Sequence, residues 1–288
     1  MQPLRARVEM CKSWGGLVLG AENRYTCSFK KFLGDDALRP HVTFSRREIH
    51  YCVYCGNISD TREHAPSRVF LSKPYPEEDL PVLPACQRCN NGFSNDELYT
   101  EVYIATMKYL SGYAASLSEQ NQERIYQNTA FSDAQNDLSK YYKEEKIPTN
   151  EKVVRILTKL AICHMVYELS EGYCINDACI EPTSVSYSFA FDMTADENEM
   201  FDSFIFMNDK IVPEIGSRVF DKIFVLEPVL QHVDNGEQSK LPILIMNWSD
   251  IQEHNYRYIA WLENDNSFHV RIVIHDFLYA EIVFERSI

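Results

Sequence analysis

Cys52-Val53-Tyr54-Cys55-Gly56 and Cys86-Gln87-Arg88-Cys89-Asn90, with 30 residues between Cys55 and Cys86, bracket the stretch on which the reading of this chain turns. A two-residue gap lets both sulfurs of a pair turn toward one ion. Two such pairs within 38 residues supply four thiolates for a tetrahedral site, the set that zinc prefers, with Zn–S bonds of about 2.3 Å. Gly56 suits the tight turn that closes such a knuckle. A four-cysteine site is coordinatively closed, so Cys52, Cys55, Cys86 and Cys89 are expected to hold one structural zinc ion that does no chemistry. The other five of the nine cysteines, Cys11, Cys27, Cys163, Cys174 and Cys179, show no ligand spacing. An odd count with two matched pairs favours metal binding in a reducing compartment over a disulfide scaffold. Cys163 falls in a helical pattern and is expected to pack as a small hydrophobe.

Inside the loop that the zinc would close lies Thr61-Arg62-Glu63-His64-Ala65-Pro66. A carboxylate beside an imidazole can hold a divalent ion while the ring takes a proton from water. Such a pair is usually plain surface; here it is bracketed by the two cysteine pairs and matched by Asn90 directly after the last cysteine. Arg62 and Arg68 flank it, as phosphate contacts or as solvated surface.

These residues together resemble the HNH, or ββα-metal, endonucleases, in the zinc-stabilised form CxxCG…EH…CxxCN. The resemblance covers residues 51–100. It implies a β-hairpin and a helix clasping one catalytic divalent ion, Mg²⁺ or Mn²⁺, beside the structural Zn²⁺. Carried over by position, His64 is the general base that activates water, and Glu63 is a ligand of the catalytic ion. Asn90 is a second ligand, with Asn91 as its alternative one position on. The family's middle position, an Asn or His on the second strand that orients the base, falls in 79–85, where Asp79 is the polar candidate. The activity implied is metal-dependent hydrolysis of nucleic-acid phosphodiester bonds, DNA being favoured over RNA, and family analogy suggests defence against phage or mobile DNA. The alternative is a non-catalytic zinc module that binds nucleic acid or protein.

Around this unit the chain reads as α+β. Residues 1–50 form a poorly defined N-terminal segment, 51–117 the nuclease-like unit, and 118–288 a helical then β-rich region of unassigned role. A helix is expected from Asn95, with Asp96 and Glu97 first complementing its N-terminal dipole and only second serving as extra metal ligands, and with Gly112 near its end. A polar helix pair is expected over 119–146. A stronger helix runs from Glu151 to Ser170, capped by Asn150, with Val153, Val154, Leu157, Leu160, Ala161 and Met165 as its apolar stripe. Alternation predicts strands at 184–191, 203–207, 222–226, 241–247, 256–262, 268–275 and 278–284, and Asn235-Gly236 reads as a turn. His164 is expected as a satisfied core histidine, His269 and His275 have no partner at metal spacing, and Trp14, Trp248 and Trp261 are expected to pack.

Net charge is −14, which by itself disfavours a nucleic-acid partner. Its distribution is uneven: residues 1–73 carry a net +5 and residues 74–288 a net −19. A mildly basic motif segment on an acidic body can engage phosphates in a salt-sensitive way. No apolar run approaches the roughly 18–20 residues of a membrane helix, so no membrane association and a cytoplasmic location are expected. Residues 118–288 are left to a regulatory partner or to self-association.

Overall fold

A computed structural model describes residues 51–76, 80–169, 181–207, 210, 222–231, 238–265 and 267–285. The N-terminal segment 1–50, Asp79, Cys174, Cys179 and the Asn235-Gly236 turn lie outside them. The described chain is α+β, with five α-helices and four antiparallel sheets.

The first two strands, β1 (Thr61–His64) and β2 (Val82–Ala85), pair antiparallel with Glu63 opposite Leu83 and His64 opposite Val82. Helix α1 (Gln87–Leu110) follows β2 directly. It begins eight residues before the expected Asn95. The reason is a cap that local sequence does not reveal: the Asp60 carboxylate accepts from the Gln87 amide at 2.6 Å and satisfies one of the unpaired donors of the first turn. Asp96 and Glu97 therefore sit in the body of the helix and not at its dipole end. Gly112, at φ +84°, takes the left-handed conformation just past the C-cap Ser111.

The expected polar pair is present as α2 (Glu119–Arg124) and α3 (Ala130–Glu144). Helix α4 (Glu151–Leu169) is capped by Asn150, whose Oδ1 accepts from the amides of Lys152 at 3.2 Å and Val153 at 3.4 Å. Beyond it come β3 (Ser184–Phe189) and α5 (Ala195–Asp202), which opens with a reciprocal Thr194–Glu197 capping box. The remaining strands are β4 (Ile205–Phe206), β5 (Ile223–Leu226), β6 (Val229–Gln231), β7 (Gln238–Lys240), β8 (Ile243–Met246), β9 (Ser249–Gln252), β10 (Tyr256–Leu262), β11 (Ser267–Ile274) and β12 (Leu278–Glu285). All seven expected strands are there. The short β6, β7 and β9 were not legible in the sequence.

The main sheet has the order β3-β12-β11-β10-β9. Phe268, Val270, Ile272 and Ile274 of β11 alternate onto one face and join Leu157, Leu160, Ala161 and Met165 of α4 in one buried cluster. Tyr99, Val102, Tyr103 and Met107 of α1 extend that cluster. A second cluster joins Cys52, Val53, Tyr54, Ala65, Leu83 and Ala85 of the cysteine-bearing unit to Cys163 and Val166 of α4. Helix α4 is thus the shared wall between the hairpin and the sheet. No helix among the described residues is long and apolar enough to cross a membrane.

Candidate metal centre and hairpin site

Cys52 and Cys55 lie on the turn before β1, and Cys86 and Cys89 on the entry to α1. Backbone bonds fold the first pair into a knuckle: Gly56 N–H to Cys52 O at 2.9 Å and Cys52 N–H to Asn57 O at 2.6 Å. Gly56 has φ +69°, a conformation costly for any side chain with a Cβ. The ligand atoms of all four cysteines lie within 4.8 Å of one another. A tetrahedral ion with bonds of about 2.3 Å needs sulfurs roughly 3.8 Å apart; Cys55 Sγ and Cys86 Sγ are 3.7 Å apart. Among the described residues this is the one convergence of three or more His, Cys, Asp or Glu ligands. The thiols also oppose one another electrically. Burial drives Cys52 and Cys89 up; Cys55, despite the same upward push, is brought down to about 7 by hydrogen bonds from Asn57 and its three partners. Four thiolates in this space need a cation.

The hairpin carries the rest of the predicted site. Asn90 lies in the first turn of α1, and its Nδ2 donates to the Arg62 carbonyl at 3.0 Å and to Thr61 Oγ1 at 3.3 Å. It thereby ties the helix start to β1, while its Oδ1 accepts no hydrogen bond among the described residues. Glu63 and His64 are strand neighbours, so their side chains project to opposite faces of β1. The two are brought together along the chain but not across a shared face. His64 is half-buried and opposite the apolar Val82, so β2 supplies no Asn or His at that point. Arg68 is exposed, its guanidinium 5.7 Å from the Tyr75 ring; Arg62 is half-buried and Asn91 exposed.

Glu63 turns inward and is 5% exposed. Its Oε1 accepts from Lys159 Nζ at 2.9 Å and from Ser67 Oγ at 3.5 Å. Lys159, 1% exposed on α4, also contacts Ser67 Oγ at 2.6 Å and the Glu97 carboxylate. Burial raises the Glu63 pKa, and Lys159 and Ser67 only partly offset this. Burial opposes the Lys159 ammonium, but Glu63 and Glu97 outweigh it and raise its pKa, so the cation stays charged. Asp96 makes the parallel contact one residue earlier, pairing with Arg155 of α4.

Sequence reasoning missed Lys159 and Ser67, and it placed Glu97 near the site without its contact to Lys159. The available signal was faint: Arg155, Lys159 and Cys163 recur at i, i+4, which puts two cations and a thiol on one ridge beside the apolar stripe. Cys163 is fully buried as expected, and it also meets the Tyr54 hydroxyl at 3.0 Å; burial raises its thiol to about 12. His164 is fully buried, bonded through Nε2 to Tyr256 Oη at 2.7 Å and stacked on Tyr258 at 3.6 Å. Trp261 is buried and stacks on His269. His269 and His275 pair with Glu281 and Glu101, and neither belongs to a metal-ligand cluster among the described residues.

The chain matches no protein-family model, no curated protein and no solved structure.

Proposed function

We propose that this protein is a metal-dependent endonuclease of the HNH type that hydrolyses nucleic-acid phosphodiester bonds, with DNA as the favoured substrate. The observation that carries the reading is the coincidence of chemistry and architecture. A four-cysteine cluster of tetrahedral dimensions joins an antiparallel hairpin to a following helix, with Glu63-His64 on the first strand and Asn90 in the first turn of that helix.

In this reading Cys52, Cys55, Cys86 and Cys89 hold structural zinc and fix the hairpin against α1. The donors for a hard divalent ion are oxygens, as Mg²⁺ or Mn²⁺ requires. In this reading the ligands are Glu63 Oε2, buried with no donor reaching it among the described residues, and, by its place directly after the last cysteine, Asn90 Oδ1. Such an ion, when bound, supplies charge neutralisation at the phosphoryl oxygens and help for the leaving oxygen. The chain's own share is distinct. The His64 imidazole, ordinarily neutral above about pH 6.5, takes the proton of the attacking water. Asn90 anchors the helix start to the Arg62 carbonyl, which fixes the ligand's distance from β1. Exposed Arg68, with Arg62, engages backbone phosphates.

A second reading, a non-catalytic zinc module that binds nucleic acid or protein, draws on one specific observation: Glu63 is sealed against Lys159 and faces away from His64. Incubation with supercoiled plasmid, and in parallel with RNA of the same sequence, separates the readings. The nuclease reading expects nicked and linear DNA that needs added Mg²⁺ or Mn²⁺. Retention of DNA in a gel-shift assay, with no incision under either ion, sinks it in favour of the binding module.

A further inference from the structure

Glu63 is held by one residue of the hairpin's own loop and by one that lies far from it in sequence. Its Oε1 is fixed by Lys159 of α4 and by Ser67, and Lys159 is in turn fixed by Glu97 of α1. A carboxylate clamped through one oxygen cannot rotate, so the direction of the other is set as well. That other oxygen, Oε2, is buried and receives no hydrogen bond among the described residues. Native structures rarely leave such an atom unmet unless a water or ion completes it.

We infer that Lys159 and Glu97 are positioning residues of the metal-ligand site at Glu63, aiming Glu63 Oε2 at a divalent cation, so that α4, outside the hairpin unit, completes the site. This rests on the nuclease reading and deepens it. Neither residue touches the nucleic acid or the ion; both act through the Glu63 carboxylate.

The test is direct binding of Mn²⁺ to zinc-loaded full-length protein by calorimetry, with no nucleic acid present. Wild type should bind Mn²⁺, and Glu63→Gln should weaken binding at least tenfold. Lys159→Met should weaken it at least tenfold at unchanged zinc content, and Lys159→Arg should recover to within about threefold of wild type. Val166→Ala, which loosens the same interface without touching Glu63, should lose stability but keep wild-type Mn²⁺ affinity. If Lys159→Met does not fold, Glu97→Gln, which removes the second anchor of the ammonium, should weaken binding at least threefold. Wild-type affinity in a folded Lys159→Met or Glu97→Gln overturns the inference alone, as does an equal loss in Val166→Ala. Absence of any Glu63-dependent Mn²⁺ binding by wild type overturns the nuclease reading and the inference with it.

Discussion

Lys159 Nζ stands 2.9 Å from Glu63 Oε1 with both side chains sealed from solvent, so an ammonium on α4 and a carboxylate on β1 form a buried pair across 96 residues of chain. This contact docks the cysteine-bearing hairpin onto the helix that also backs the main sheet. Replacing a buried ion pair as a whole can be neutral, but removing one member leaves an uncompensated charge and typically costs about 3–5 kcal/mol. Lys159→Met is therefore expected to lose that much stability in urea unfolding. A loss below about 1 kcal/mol would mean that water already reaches the pair.

The start of α1 depends on Asp60. Asp60→Ala removes the acceptor for the Gln87 amide, and the loss of such a cap costs about 0.5–2 kcal/mol. The same variant should speed hydrogen exchange at the first amides of α1 and leave those of α4 unchanged. Uniform acceleration along both helices would contradict a local capping role.

Acid sensitivity should concentrate at His164. Burial holds its pKa well below the ordinary 6.5, with Lys222 and Lys159 adding to the depression. The unfolded chain therefore binds a proton below pH 6.5 that the folded chain refuses. The neutral side chain's contribution is fully present above pH 6.5 and declines as pH falls below it, by about 1.4 kcal/mol per pH unit. His164→Gln should flatten the pH dependence of the urea midpoint between pH 6.5 and 4.5. Parallel curves for variant and wild type would show that His164 is not refused its proton.

Much of this fold was legible in the sequence, and the reasons differ by element. Strands β10, β11 and β12 carry dense apolar alternation, and α4 carries a cap and a stripe, so short-range pattern suffices. The first two turns of α1 were hidden because Gln87–Ser94 is polar and holds the knuckle and Gly92, while the acceptor that starts the helix, Asp60, lies 27 residues upstream. At the site, cysteine spacing announced the cluster because two-residue gaps have few other uses. The inward turn of Glu63 was not announced: it follows from β-alternation plus a lysine 96 residues away, and no local pattern encodes that partnership.

Metal content follows from the cysteine geometry. Purified protein is expected to carry about one zinc per chain, and Cys89→Ser to lose most of it, since the ligand set and the fold form together. Unfolding of the hairpin should then precede that of the sheet, because Tyr54 meets Cys163 only while the knuckle is formed. A folded, zinc-free wild type would refute the assignment of Cys52, Cys55, Cys86 and Cys89.

Plasmid incision as a function of Mn²⁺, comparing wild type with His64→Ala at equal zinc content, decides whether the Glu63-His64 hairpin is a nuclease site. Wild type is expected to nick in a metal-dependent way and His64→Ala at least a hundredfold more slowly, as the loss of a general base implies. Equal rates for the two proteins, or no incision by wild type at any Mn²⁺ concentration, would contradict it.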